Sequence, residues 1–333
     1  MASSTTVNPP QSNLRLGWIG LGSMGNAMAK NIHKHLTSQG HQHQPLRFFN
    51  RTASRGDALE ALGGTRCQDV GQVASESDII FISASDDKAV ESIIEQVLSL
   101  GDGVAGKIVA DTTTIHPDTT KALAMKLREK GAEFVAMPVF GATPTAEEGK
   151  LLVAFAGSAA AYEKVSPFLK GVIAREVLVV GGEPEKATLL KATGNFLMAG
   201  LMQLIAEGHV FAEKTGLGSP VLEKLLELVF GTVAHSDSIR MTTGVYAPGR
   251  DEAPWSDLDL GIKDVGHGVD CAAQVGVELK VANTALENLK KAKQWSVENG
   301  GRKLDSSSLY GVVRQDAGLD FRTDLVRKRD GNE

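Results

Sequence analysis

Six consecutive residues, Gly20-Leu21-Gly22-Ser23-Met24-Gly25, constrain the fold more than any other stretch of the chain. An apolar run, "LGWI", enters them and a stretch of helical spacing, "NAMAKN", leaves them. The order strand, G-x-G-x-x-G, helix suits a turn that lays a dinucleotide pyrophosphate against a helix N-terminus. The spacing alone is common, so its meaning depends on what the remaining chain builds around it.

The rest of the first half alternates in the same way. Apolar runs occur at 16–19, 45–50, 78–83, 107–114, 132–139 and 151–157, with amphipathic stretches such as 90–100 and 117–130 between them. Such alternation over some 180 residues predicts an α/β domain, a doubly wound Rossmann-type sheet. From about residue 185 strand candidates are few, and "EKATLLKATGNFLMAGLMQLIAEGHVFAEKTGL" predicts one long helix, apolar on most faces. A helix so apolar calls for burial beyond its own domain, in an inter-domain core and a subunit interface. The expected organisation is a disordered tail at 1–13, an NADP-binding Rossmann domain at 14–184, an all-α substrate and oligomerisation domain at 185–320, and a solvated tail at 321–333.

With 333 residues there is length for two domains. The net charge of −5 and the lack of a basic patch argue against a nucleic-acid partner. No apolar segment is read as reaching the roughly 20 residues of a membrane helix, so no membrane partner is expected. Cys67 and Cys271, far apart, make neither a disulfide framework nor a metal site, which fits a reducing, cytoplasmic setting. His33, His35, His41 and His43 crowd the linker after the first helix without acidic or cysteine neighbours, so they read as solvated and no metal is expected.

In this fold the end of the second strand meets the adenosine ribose; an acid there bonds the 2′-hydroxyl of NAD, whereas an arginine accepts the 2′-phosphate of NADP. Here the strand ends "FFNRTASR": Asn50, Arg51, Thr52 and Arg55, with no acid. A guanidinium fork matches a phosphate and a carboxylate would repel it, so the composition favours NADP(H).

The ordered segments "GWIGLGSMGNAMAKN", "NRT", "VADTTTIHPDTT", "AMPVFGATPTAEEGKLLVAFAG", "KATGN" and "LDLGIKDVGHG" resemble those of the β-hydroxyacid dehydrogenases, over roughly residues 14–312. That family includes 3-hydroxyisobutyrate dehydrogenase and the glyoxylate/succinic semialdehyde reductases, within the 6-phosphogluconate dehydrogenase superfamily. The resemblance implies a Rossmann domain followed by an all-helical domain. It also implies hydride transfer between a nicotinamide cofactor and a hydroxy compound or its aldehyde or ketone; the apolar helix at 187–213 adds the expectation of a homodimer or homotetramer. Lys191 falls where the family has its catalytic lysine and Asn195 where it has a substrate-orienting asparagine. Independently of the resemblance, the two share a helix face at i, i+4, and a lysine in so apolar a helix resists its charge. The resemblance further places Thr114 near the nicotinamide ribose, Lys263 over the cofactor, and Thr113 and Asp264, the neighbour of Lys263, with the substrate.

Two departures stand out. The family's Pro-Val-Ser-Gly-Gly substrate loop reads Pro138-Val139-Phe140-Gly141-Ala142 here, so a phenyl ring replaces a hydroxyl and only the Gly141 and Ala142 amides remain for an anion. Ser85 and Asp86 replace the leucine and proline that pass beside the cofactor, leaving Ser85 as its expected contact there. Two competing functions share the architecture: an imine reductase, against which the retained Lys191 counts, and a catalytically silent NADP-binding sensor or assembly module, which the altered loop suggests.

Overall fold

A computed structural model describes residues 14–38 and 44–331. They form two compact units: the first runs through Thr113 and takes in Asp118–Ala187, while the second comprises Thr114–Pro117 and everything from Thr188 onward.

In the first unit strands β1 (Leu16–Ile19), β2 (Arg47–Phe49), β3 (Thr65–Arg66), β4 (Ile79–Ile82), β5 (Ile108–Asp111) and β6 (Glu133–Ala136) are followed by β7 (Val139–Phe140), β8 (Leu151–Ala156) and β9 (Ala174–Gly181). They make one sheet in the order β3-β2-β1-β4-β5-β6-β8-β7, with β9 pairing β8. The pairs from β3 through β6 are parallel, whereas β8 runs antiparallel to β6 and β7. The interleaved helices are α1 (Ser23–Ser38), α2 (Asp57–Ala61), α3 (Val70–Glu76), α4 (Asp87–Leu98), α5 (Pro117–Glu129), α6 (Thr143–Glu147) and α7 (Ala159–Val165). β1 and β4 are buried along their whole length, the pattern of a sheet covered on both faces.

The expected parallel, doubly wound sheet is present, with an antiparallel edge and three strands that periodicity did not mark: β3, β7 and β9. The run 132–139 is two strands, because Pro138 has no N–H to continue the ladder. β9 carries the apolar run 177–180, with Leu178 and Val179 exposed, and it lies where the sequence passes from strands to helices. His33 and His35, expected in a solvated linker, lie inside α1; His33 is buried with Nε2 2.9 Å from the Leu62 carbonyl. His41, His43 and the 1–13 segment lie outside the described residues.

The second unit is helical: α8 (Glu185–Thr215, whose first turn belongs to the first unit), α9 (Ser219–Leu225), α10 (Gly231–Thr242), α11 (Leu258–Gln274), α12 (Lys280–Glu298), α13 (Leu309–Asp316) and α14 (Asp324–Arg329). One face of α8 supplies Ala199, Met202, Ile205, Ala206 and Val210 to the core of this unit. By length and composition α8 is apolar enough to cross a membrane, with a mean hydropathy of 1.3, which corrects the expectation that no segment reaches that class. Its packing explains the apolarity on this one face. The end of the chain is also corrected: 321–331 is no solvated tail. Phe321 stacks on Trp295 at 3.8 Å, Val326 is buried and Asp330 pairs with Arg302.

Candidate active site

The three glycines of the opening turn are needed for three different reasons. At Gly20 φ is +95°, and a Cβ would lie 2.1 Å from the Ser83 carbonyl oxygen, so no other residue fits. A Cβ on Gly25 would lie 2.3 Å from the Gly20 carbonyl oxygen, so the missing side chain lets α1 start against the turn. Around Gly22 there is open space within 4 Å. Tight turn, open approach and close helix packing are what a pyrophosphate at a helix N-terminus requires. Leu21 is buried, Met24 half-buried and Ser23 exposed at the start of α1.

Asn50 holds this turn from the end of β2: its Oδ1 accepts from Leu21 N at 2.7 Å and its Nδ2 donates to the Thr52 carbonyl at 2.8 Å. Arg51, Thr52 and Arg55 follow, all exposed. Asn26 Nδ2 donates to the Arg55 carbonyl at 2.7 Å, which ties the arginine loop to α1. A third arginine, Arg66, is engaged by Asp57 and Glu60, both at 2.8 Å.

Ser85 is exposed, its Oγ donating to Asp86 Oδ2 at 2.8 Å, while Asp86 caps α4 through Ala89 N at 2.9 Å. Thr113 is buried and its Oγ1 accepts from Ala84 N at 2.9 Å, so here the hydroxyl anchors the loop after β4. Phe140, half-buried, ends β7 opposite Leu152. Gly141 follows with φ +134°, where a Cβ would strike Leu151 Cδ2 at 2.7 Å, and Ala142 leads into α6.

The second unit gathers the charged residues. Lys191 and Asn195 lie one turn apart on α8, Lys263 and Asp264 on α11. Asn195 Nδ2 donates to Asp264 Oδ2 at 2.9 Å, and Lys263 Nζ is 2.7 Å from Asp264 Oδ1. Lys263 Nζ also donates to the Thr114 carbonyl at 2.5 Å. Gly268, a turn beyond Asp264, makes this approach of helices possible: a Cβ there would meet Phe196 Cδ1 at 2.9 Å and the Ala192 carbonyl at 3.1 Å. Asp257 caps the start of α11 through Asp259 N at 2.9 Å.

Burial lowers the Lys191 ammonium from its ordinary value near 10.5 to about 8; the Asp264 carboxylate opposes the shift and the Lys263 ammonium adds to it. A lysine in this state exchanges a proton near neutrality. Further along the same face of α11, His267 and Cys271 follow Lys263 at i+4 and i+8. The His116 ring meets His267 edge-on at 5.4 Å, and its Nε2 lies 3.4 Å from Cys271 Sγ. His116 and His267 were not singled out from the sequence and Cys271 only as an isolated thiol, although the i, i+4, i+8 spacing of Lys263, His267 and Cys271 was there to be seen.

Residues 15–181 match the NAD-binding domain of 6-phosphogluconate dehydrogenase, and residues 186–313 match the NAD-binding domain of NADP-dependent 3-hydroxyisobutyrate dehydrogenase. The chain belongs to the β-hydroxyacid dehydrogenase family. It is 31% identical to an NADH-dependent oxidoreductase of Aspergillus ustus over 90% of this chain and 99% of that one. To the 2-hydroxy-3-oxopropionate reductase of Escherichia coli it is 29% identical, over 90% and 97% of the two chains. A crystal structure of 3-hydroxyisobutyrate dehydrogenase from Salmonella typhimurium has the same fold, with a TM-score of 0.75 at 21% identity over 90% of this chain and 100% of that one. As a β-hydroxyacid dehydrogenase the protein is an oxidoreductase with NAD(P)-binding domains, and its cofactor is a nicotinamide dinucleotide.

Proposed function

We propose that the protein is an NADP(H)-dependent reductase and dehydrogenase that interconverts a hydroxy compound with its aldehyde or ketone, using Lys191 as general acid and base. The observation that carries this reading is the state of Lys191: a half-buried ammonium lowered to about 8, beside the Asn195–Asp264–Lys263 cluster. A bound nicotinamide supplies or accepts the hydride. In reduction the Lys191 ammonium gives its proton to the carbonyl oxygen as that oxygen becomes an alkoxide; in oxidation the neutral amine removes it. Asn195, oriented by Asp264, directs the substrate oxygen or carboxylate, and the Gly141 and Ala142 amides address the acid end.

The phosphate preference rests on Arg51 and Arg55, exposed at the end of β2 with no acid among residues 50–55. The Aspergillus relative is named for NADH, so cofactor choice varies among similar chains. Phe140 removes a hydroxyl donor from the substrate loop and favours longer or more apolar carbonyl compounds over small polar acids. Two thiols with no disulfide between them support a cytoplasmic enzyme, and α8 supports a homo-oligomer of two or four chains. Consumption of NADPH over a panel of small aldehydes, ketones and their hydroxy forms tests the assignment. Tight NADPH binding without turnover on any of them would replace the enzyme with a sensor.

A further inference from the structure

The arginine loop after β2 is held by an arginine from outside it. Arg66, at the end of β3, is the cross-strand partner of Phe48 on β2, and its guanidinium lies over the Phe48 ring at 5.3 Å. Nη1 donates to the Ala53 carbonyl. Nη2 donates to Asp57 Oδ1 and to Glu60 Oε2, both at 2.8 Å, and Nε donates to the same Glu60 oxygen at 3.1 Å. One planar fork thus holds the backbone between Arg51 and Arg55 and both acids of α2 beyond them. Gly56 lets the turn lie this close, since a Cβ there would meet Phe48 Cε2 at 2.4 Å and Arg66 Nη1 at 3.1 Å.

As ion pairs these contacts stabilise the fold little. The Asp57 and Glu60 side chains are 70% and 52% exposed, so water screens them. The pairs matter more to an anion bound at the loop. Residues 51–60 hold two arginines, Arg51 and Arg55, and two acids, Asp57 and Glu60, and so carry no net charge. Arg66 tips the group to one net positive charge. Without it the two carboxylates offset the arginines toward a phosphate, since charges within a Debye length of about 8–10 Å still act on one another through water.

The backbone contacts act in the same direction. Asn50 ties the start of the loop to Leu21 N, Asn26 holds the Arg55 carbonyl and Arg66 holds the Ala53 carbonyl. Three side chains therefore fix the backbone from which Arg51 and Arg55 project, and a donor held in place loses less freedom when it meets a phosphate. Asn50 and Asn26 also join the loop to the glycine turn and to α1, which serve either cofactor. The hydrogen bonds of Arg66 go to residues 53–60, so its loss bears on the phosphate.

We propose that Arg66 determines cofactor choice from outside the phosphate contact: it positions the loop of Arg51 and Arg55 and neutralises Asp57 and Glu60, so that a 2′-phosphate is taken. Arg66 is then a positioning residue, in a role that rests on the NADP(H) reading above. Dissociation constants of NADPH and NADH, from fluorescence titration of the intact chain and its variants, are the test. Arg66→Met is expected to weaken NADPH roughly tenfold, the loss of about one charge-assisted contact, with NADH nearly unchanged. Removing the acids as well, in Arg66→Met/Asp57→Asn/Glu60→Gln, is expected to recover roughly threefold in NADPH affinity. A purely structural arginine would weaken both cofactors alike and would not be rescued by the loss of its partners. If Arg66→Met fails to fold by circular dichroism, Asp57→Asn/Glu60→Gln decides. With Arg66 left uncompensated there, NADPH is expected to bind roughly threefold tighter, and unchanged NADPH affinity overturns the proposal. An NADPH preference that survives Arg66→Met, equal weakening of both cofactors, or absence of the rescue overturns this proposal alone. Equal affinity of the intact chain for the two cofactors overturns the NADP(H) reading and the proposal with it.

Discussion

Asn195 donates to Asp264 at 2.9 Å across 69 residues of sequence, and the same carboxylate holds Lys263 at 2.7 Å. Asp264 therefore stands between the residue proposed to orient substrate and the charge that helps discharge Lys191. Asp264→Ala removes the acceptor and the opposite charge together. The expected outcome is a fall in kcat of roughly 10²-fold, as for a misplaced positioning group, with the pH profile displaced to lower pH. The sign follows because the carboxylate raises the Lys191 pKa and Lys263 lowers it. Asp264→Asn is expected to keep more of the turnover, through the retained acceptor, while still displacing the profile.

Lys191→Ala is expected to lower turnover by roughly 10²–10⁴-fold, with NADPH affinity, followed by fluorescence titration, nearly unchanged. In the intact enzyme the neutral amine is the base, so oxidation is expected to rise with pH up to about 8 and level off. Reduction, which needs the ammonium, is expected to fall above about 8. Profiles of both directions with no inflection in that region would remove Lys191 from the chemistry.

Loss of Arg51 tests the cofactor. A charge-assisted contact to the 2′-phosphate contributes about 1.5–3 kcal/mol, so the intact enzyme is expected to prefer NADPH over NADH by at least ~10-fold. Arg51→Ala is expected to raise KM for NADPH and leave that for NADH nearly in place. Equal use of both cofactors by the intact enzyme would refute the assignment.

Phe140→Ser restores a donor to the substrate loop. Relative kcat/KM for glyoxylate against a longer aliphatic aldehyde is expected to move toward glyoxylate, since a hydrogen bond to a charged group is worth about 1.5–3 kcal/mol. If the intact enzyme already reduces glyoxylate better than every apolar carbonyl tested, Phe140 does not set the preference.

Two glycines of α11 separate packing from helix propensity. A methyl at Gly268 meets Phe196 and the Ala192 backbone, whereas one at Gly266 meets nothing within 4 Å. Gly268→Ala is expected to destabilise by about 1–3 kcal/mol, the usual range for overpacking, and to lower kcat by parting Asp264 from Asn195. Gly266→Ala is expected to be stabilising by up to about 1 kcal/mol. Urea denaturation of the two variants, with kcat measured alongside, checks both.

What the sequence determined by itself is what short-range chemistry can specify. The strand, glycine turn and helix at 16–38 follow from spacing and from glycine's conformational freedom, and the arginine loop follows in order at the end of β2. Lys191 and Asn195 share a face because four residues make about one helical turn. Tertiary structure decided where those local pieces meet. Asp264 reaches Asn195 only because Gly268 lets α11 close on α8, and nothing local to either segment states that pairing. Likewise His116 meets Cys271 from 155 residues away. The polar-looking end of the chain packs because Phe321 finds Trp295 and Val326 finds the core, and β9 joins the sheet by parallel pairing with β8. Periodicity marks the faces an element can bury; which face meets which neighbour is set by the shape of the folded surfaces, at sequence separations over which no local pattern persists.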